Sequence, residues 1–290
     1  GLLFRLESHW QWAGFAVCML PILVLVFVFN VMPWAAQLIA GQIPVGALQQ
    51  LDSSVLDSPW LQASSASDEA TLKLQAAWIV LGSPDDMTLV QRSSPGLGAN
   101  AFALPGGTIL VTDQLLNVLD SRDEVVAVLA HEVGHTRSRH GLRNLLQTLG
   151  VAVLFSSVVG DVSALAESIL ITGPTLLQQM QYSREFETEA DAVAIERLKS
   201  LGIATSCLGS SLNKLIKSSE LTSDEDLSEG GASADKRASA EEGAEQSTST
   251  ERVKQRSAVG GRWLDYLSTH PNTEERIRLS GGTSCPQVMF

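Results

Sequence analysis

Apolar residues fall into blocks of different length and period along this chain, and the longest block comes early. From Ala13 to Val31, nineteen residues pass without a charge. Wound as a helix they would reach about 28 Å, close to one hydrocarbon core. Trp10 and Trp12 before the run and Trp34 after it sit where aromatic belts form. The block predicts a retained membrane helix, with Cys18 as an apolar residue inside it and His9 flanking it. A signal h-region is usually shorter, and no small-x-small cleavage site follows directly. Arg5 precedes the span, whereas the first charges after it are acidic (Asp52, Asp57, Asp68, Glu69). By the positive-inside tendency the N-terminus faces the cytoplasm and the bulk of the chain lies on the extracytoplasmic, periplasmic-type side. A second apolar stretch, Gly150 to Gly160, is too short to cross and reads as a buried or membrane-touching helix.

Past the first block the pattern changes. Residues 45–67 lack basic side chains, contain Pro59 and many serines, and read as a juxtamembrane connector. Glu69 to Leu81 has helical period, and Met87 to Arg92 reads as a strand. Ala101 to Leu104, then Pro105-Gly106-Gly107, then Thr108 to Val111 is a strand–turn–strand signal. Ser121 with Glu124 forms a capping box that opens an apolar helix, expected to end near His140 with Gly141 just beyond it. Helical patterns continue to about Lys217. From Ser218 to Ser257 there are ten acidic and five basic residues, no aromatics, and only Leu221, Leu227 and Val253 as larger apolar side chains. Burial there cannot offset the entropy of ordering, so this stretch is expected to be a disordered acidic insertion. Order resumes around Arg262-Trp263-Leu264.

Composition narrows the function. The chain has 290 residues, 44% of them hydrophobic, enough for one sizeable core with appendages. A net charge of −12 without a basic stripe disfavours nucleic acid as a partner. Three cysteines without a CxxC pair indicate neither a thiolate zinc site nor a disulfide scaffold, though Cys207 and Cys285 can pair in an oxidising compartment. The first residue is glycine, which admits a further segment upstream. The oligomeric state is not legible.

The chemistry concentrates in His131-Glu132-Val133-Gly134-His135, inside the capped apolar helix. Two histidines one turn apart project from the same face and can hold Zn²⁺ at two tetrahedral corners, with Glu132 reaching a water at an open one. Val125, Val126, Val128 and Leu129 place the motif on a buried helix, where unpaired imidazoles would be costly. Gly134 costs up to about 1 kcal/mol there against alanine, which a close approach of backbone or ligand would explain. A third ligand is needed. Downstream, Glu187 and Asp191 lie four apart on one helix face. One can bind the metal while the other accepts the free N–H of a zinc-bound histidine. Glu185 and Glu189 point elsewhere and are expected to be solvated. His140 reads as a C-terminal helix residue.

HEVGH, then SREFETEAD (residues 183–191), then STHPNTEERI (residues 268–277) resemble the membrane-associated zinc metallopeptidases of family 48, the HtpX/BepA type. Asn100 to Val111 is also similar to the segment before that family's active-site helix, and the resemblance spans roughly Leu72 to Leu279 apart from the insertion. It implies an α+β, predominantly helical zincin-like (gluzincin) domain with a small β-sheet, here preceded by one transmembrane helix. It implies one Zn²⁺ per chain on His131, His135 and Glu187, with Asp191 behind them. It also implies endopeptidase action on misfolded or unassembled envelope or membrane proteins, by Glu132-assisted attack of a zinc-bound water. The chain then divides into an anchor (1–37), a connector (38–66), a metallopeptidase core (67–217), the insertion (218–257) and a C-terminal part of the domain (258–290).

Two further expectations attach to this site. His270, before Pro271, either closes the fold as a loop residue or reaches the metal, as an oxyanion donor or as a fourth ligand that keeps the enzyme latent. In the second case Arg276 positions that loop or binds a carboxylate; in either, Asn272 and Glu275 are spaced as a capping box that starts the next helix. Ala101, Phe102 and Ala103 either offer a strand edge to an extended protein substrate or form an ordinary sheet strand. The rival readings are a membrane-tethered chaperone or assembly factor with latent or secondary proteolysis, and a metallohydrolase acting on a non-peptide bond.

Overall fold

The computed structural model describes residues 15, 17–159, 182–218, 269–271 and 273–286. The stretch expected to be an acidic insertion (from residue 219 onward), His9, and Asn272 with its expected capping role lie outside the described residues.

Val17–Gln42 form one helix, α1, long and apolar enough to cross a membrane, so the uncharged block continues as helix beyond Val31. At 1.5 Å per residue it reaches about 39 Å. Most of its large apolar side chains, among them Leu20, Phe29 and Trp34, face outward rather than into a core, whereas Ala36 and Ala40 are buried. The helix widens into a π-turn at Phe27–Val31, immediately before Pro33. Proline has no N–H to donate and its ring crowds the carbonyl four residues back, here Phe29, which the wider turn relieves.

The stretch read as a connector is instead folded onto the domain. It carries helix α2 (Gln49–Leu56) and strand β1 (Gln62–Ala63). Val55 and Leu61 are buried in a small apolar cluster with Phe102, Leu110, Leu145 and Phe186. Asp52 is buried as well and accepts the backbone N–H of Gly106 at 2.8 Å and of Thr108 at 3.0 Å. A Cβ on Gly106 would lie 2.7 Å from that carboxylate, so the turn needs glycine there. An eight-residue helix with only three apolar positions does not announce itself, and one of its two buried side chains is charged. Asp52→Ala leaves two buried donors without partners, at about 1–3 kcal/mol each. Thermal unfolding is expected to show a loss of about 2–4 kcal/mol; a change below about 1 kcal/mol would mean this stretch contributes little to the fold.

Helix α3 (Asp68–Leu81) starts where Ser67 Oγ accepts from Ala70 N and stops at Gly82, whose φ of 96° is left-handed. Its buried Ala70, Leu74, Ala77 and Leu81 form the stripe that packs on the central helix. Strands β2 (Thr88–Ser93), β3 (Ala101–Ala103) and β4 (Thr108–Thr112) join β1 in a mixed sheet of order β1-β2-β4-β3. β2 runs parallel to β4, whereas β1 and β3 pair antiparallel with their neighbours. β4 is buried on both faces, Ile109 and Val111 towards the main core and Leu110 towards the smaller cluster.

After α4 (Asp113–Val118) comes the central helix α5 (Arg122–Arg137), opened by the capping box in full: Ser121 Oγ accepts from Glu124 N, and Glu124 Oε2 accepts from Ser121 N. Every residue from Asp123 to His135 is buried. The expected end near His140 is corrected: the helix stops at Arg137, and the left-handed residue is Arg139, φ 54°, rather than a glycine. Its guanidinium donates to the carbonyls of Ala40 and Ile43 at the end of α1, which compensates that conformation. His140 therefore begins the next helix, α6 (His140–Val159), and Gly141 lies inside it. Residues 150–159 of the second apolar stretch form the latter part of α6, which packs along α1 and leaves Val151 and Val153 exposed. Helix α7 (Arg184–Ser200), helix α8 (residues 206–218) and helix α9 (Thr273–Ser280) follow. Cys207 and Cys285 form a disulfide that ties the start of α8 to the segment after α9. Together these elements make a mostly helical α+β domain with a small sheet.

Candidate metal centre

The site is assembled where α7 crosses α5. A Cβ on Gly134 would lie 2.9 Å from Ala190 O and 3.0 Å from Ala190 Cα. Only glycine lets the two backbones approach this closely, and that approach brings Glu187, one turn before Ala190, to the imidazoles. Here the unfavourable glycine of the motif finds its reason.

His131, His135, Glu187 and His270 are all buried, and one donor atom from each lies within 4.8 Å of the others. His131 Nε2 is 2.9 Å from His135 Nε2 and 3.3 Å from His270 Nδ1. Glu187 Oε1 is 3.3 Å from His135 Nε2 and 3.0 Å from His270 Nδ1. A tetrahedral ion with bonds of about 2.0–2.1 Å places its ligands about 3.3 Å apart, so these donors stand at the edges of one such tetrahedron. Glu132 is fully buried beside them, and neither of its carboxylate oxygens accepts a hydrogen bond among the described residues. His270 Nε2 stands 3.6 Å from its Oε1. Convergent nitrogen and carboxylate donors next to a buried acceptor in want of a proton fit a divalent cation of zinc's size.

Asp191 Oδ1 is 2.8 Å from His131 Nδ1, which leaves Nε2 of that ring for the centre. Arg276 grips Asp191 in bidentate fashion at 2.7 and 2.9 Å, lies 2.7 Å from Glu187 Oε2, and donates to the His270 carbonyl at 3.3 Å. One guanidinium thus ties both carboxylates of α7 to the loop carrying His270. Ala101, Phe102 and Ala103 are buried, and β3 pairs with β4 alone among the described residues. Leu104 N bonds Thr108 O and Thr112 N bonds Asn100 O. The backbone groups of Ala101 and Ala103 therefore turn away from β4.

Three side chains near the centre escaped the sequence reading. Tyr182 stacks on His135 at 4.0 Å between centroids and donates to Ala103 O at 3.4 Å. His140 is not merely a helix-end residue: it is buried, and its Nδ1 lies 2.9 Å from His135 Nδ1. Glu189 is exposed, as expected, yet its carboxylate lies 3.0 Å from His140 Nε2. Glu185 is exposed as expected. The histidine five residues past the motif and the acid between Glu187 and Asp191 were the available signals, but both spacings leave the face on which the motif was read.

Burial pushes the Glu132 carboxyl above its usual range, with the His270 and His131 rings opposing it. The same burial acts on Glu187, but His270, His131 and His135 outweigh it and hold that carboxyl well below its usual range. Burial and Arg276 work against charge on His131, yet Asp191 and Glu187 lift it to about 9. That pKa lies above the ordinary 6.5, so His131 contributes stability that is fully present below pH 6.5 and lost as pH rises through about 9. Metal ligation requires the neutral ring. At pH 7.5, zinc uptake is therefore expected to release a proton from His131, and affinity is expected to rise towards pH 9. Calorimetry in two buffers of different ionisation enthalpy measures that proton; identical heats in both would contradict it.

A buried helix with two histidines one turn apart, a carboxylate from a second helix and a small mixed sheet define a metallopeptidase of the gluzincin kind. The sequence model described as peptidase family M48 matches residues 65–280, and the chain belongs to that family. It is similar to mitochondrial metalloendopeptidase OMA1 of Arabidopsis thaliana, 32% identical over 160 residues, which are 52% of this chain and 29% of that protein. It is also similar to metalloprotease LoiP of Escherichia coli, 36% identical over 124 residues, 42% of this chain and 49% of LoiP. The beta-barrel assembly-enhancing protease of the same organism is 26% identical over 133 residues, 43% of this chain and 27% of that protein. The matched stretch thus spans less than half the length of each of these proteins.

Proposed function

We propose that this protein is a membrane-anchored, zinc-dependent endopeptidase that cleaves misfolded or unassembled envelope or membrane proteins. The observation that carries this is the meeting of His131, His135 and Glu187 around one point, beside the buried carboxylate of Glu132, which accepts no hydrogen bond among the described residues. In this reading the first three hold one Zn²⁺, and Asp191 fixes the ring of His131. Zinc, when bound, supplies a Lewis acid that polarises the scissile carbonyl and acidifies water. Glu132 takes the proton from the attacking water and passes it to the leaving nitrogen, work that suits a carboxyl raised by burial. His270 donates to the oxyanion, and Arg276 steadies the loop that carries it. An extended substrate adds to β3 through the outward backbone groups of Ala101 and Ala103, with Phe102 between them, displacing the Tyr182 hydroxyl from Ala103 O and the Asn100 side chain from Ala101 N.

The helix α1 supports a single-pass anchor, and the charges around it support a catalytic domain on the extracytoplasmic side. In the same reading residues 67–217 and 258–290 build one catalytic domain around the insertion. The similarity to a protease named for enhancing beta-barrel assembly supports envelope proteins as clients. The test is cleavage of an unfolded, casein-like protein by the purified chain in detergent. Cleavage is expected to stop with a chelator and return with zinc; hydrolysis confined to small non-peptide esters would favour the other metallohydrolase reading.

One observation favours a second reading. His270 Nδ1 stands 3.3 Å from His131 Nε2 and 3.0 Å from Glu187 Oε1, where a fourth ligand would be. A centre closed in this way suits a membrane-tethered chaperone or assembly factor with latent proteolysis. His270→Ala is then expected to raise basal cleavage, whereas an oxyanion donor predicts a fall.

A further inference from the structure

We infer that His140 and Glu189 form a relay that fixes the tautomer and aim of His135, a role for two residues outside the ligand set. This rests on the metal-centre reading above. The contact between His135 Nδ1 and His140 Nδ1 is 2.9 Å, and a contact between two ring nitrogens holds one proton. His135 directs Nε2 at Glu187 and His131, so that nitrogen must keep its lone pair to ligate and the ring's proton sits on Nδ1. His135 therefore donates, His140 Nδ1 accepts, and the proton of His140 is left on Nε2. There it meets Glu189 Oε2 at 3.0 Å. The chain of donors ends on a carboxylate, which can only accept, so its direction is settled throughout.

The ring of His140 is itself held. It stacks on Phe186 at 4.3 Å and 7°, and Arg143 covers that phenyl ring at 4.4 Å while lying 3.3 Å from Glu189 Oε2. The two histidines of the motif are thus served differently. Asp191 reaches His131 directly at 2.8 Å, whereas Glu189 reaches His135 through an intervening imidazole. Both carboxylates come from α7, within one turn of Glu187, so one helix supplies a ligand and both orienting anions.

Partners of this kind are worth roughly 10–100-fold in metal affinity. The test measures zinc dissociation constants of the full chain in detergent, by competition with a chromophoric chelator, alongside thermal unfolding of the metal-free protein. His140→Ala is expected to weaken zinc binding by about 10–100-fold, and Glu189→Ala by several-fold because water can partly replace an exposed carboxylate. His140→Asn puts an amide oxygen where Nδ1 stands and is expected to recover much of the loss. Glu185→Ala, on the same helix but outside the relay, is expected to change nothing. Equal losses for the alanine and asparagine variants, or affinity that falls only in step with metal-free stability, would reduce His140 to packing and overturn the relay. If the wild-type chain itself binds no zinc, the metal-centre reading fails instead, and the two failures are told apart by that first measurement.

Discussion

Glu132→Gln is expected to lower cleavage of an unfolded protein substrate by about 10²–10⁴-fold while zinc stays bound and the fold stays intact, the magnitude typical of a lost general base. The replacement keeps the shape of the side chain. It also removes a charge that the site stabilises poorly: both carboxylate oxygens are buried and without a hydrogen bond among the described residues. Burial already favours the neutral form of Glu132, so the amide variant should unfold at the same temperature as wild type or slightly above. Stoichiometric zinc by metal analysis and an unchanged melting temperature identify the loss as chemical. The same variant separates the two functional readings. If clients are still bound and the cellular phenotype survives, the chaperone reading gains; if the phenotype disappears with cleavage, proteolysis is the function. Cleavage within a factor of a few of wild type would remove Glu132 from the mechanism.

Much of this site was readable because its key residues sit at helical spacing. HEVGH places two rings on one face, and Glu187 and Asp191 repeat that interval on a second helix; Glu185 and Glu189 repeat it too, so it is the resemblance to the family's motifs that singles out Glu187 as the ligand. What periodicity does not carry is which helices cross, and at what distance. His140 shows the consequence. A continuous helix would have carried it away from His135, but Arg139 turns the chain in a left-handed conformation supported by carbonyls at the end of α1. That support comes from ninety-odd residues away and leaves no local trace. The same is true of Asp52, whose partners are backbone groups 54 and 56 residues distant. Tyr182 was invisible for a related reason: an aromatic residue before a helix is an ordinary sight until its ring is found stacked on a ligand.

The crossing distance itself is open to test, through Gly134→Ala. Helix propensity argues that alanine should stabilise α5, by up to about 1 kcal/mol. Packing argues the reverse. The new methyl would sit 2.9 Å from Ala190 O and 3.0 Å from Ala190 Cα, and both atoms belong to backbone that cannot rotate aside. Overpacking of this sort costs about 1–3 kcal/mol, so the packing term outweighs the propensity gain and a net loss of about 1–2 kcal/mol in unfolding free energy is expected. The larger effect falls on the site. Relief requires α7 to move away from α5, and Glu187 lies one turn from the point of contact, 3.3 Å from His135 Nε2 through Oε1. A misplacement approaching 1 Å can cost about 10²-fold in rate, so turnover is expected to fall by about 10–100-fold, with zinc affinity falling alongside. A variant that melts higher than wild type and binds zinc equally well would mean that α7 is not held against Gly134, and that Glu187 owes its place to Arg276 alone.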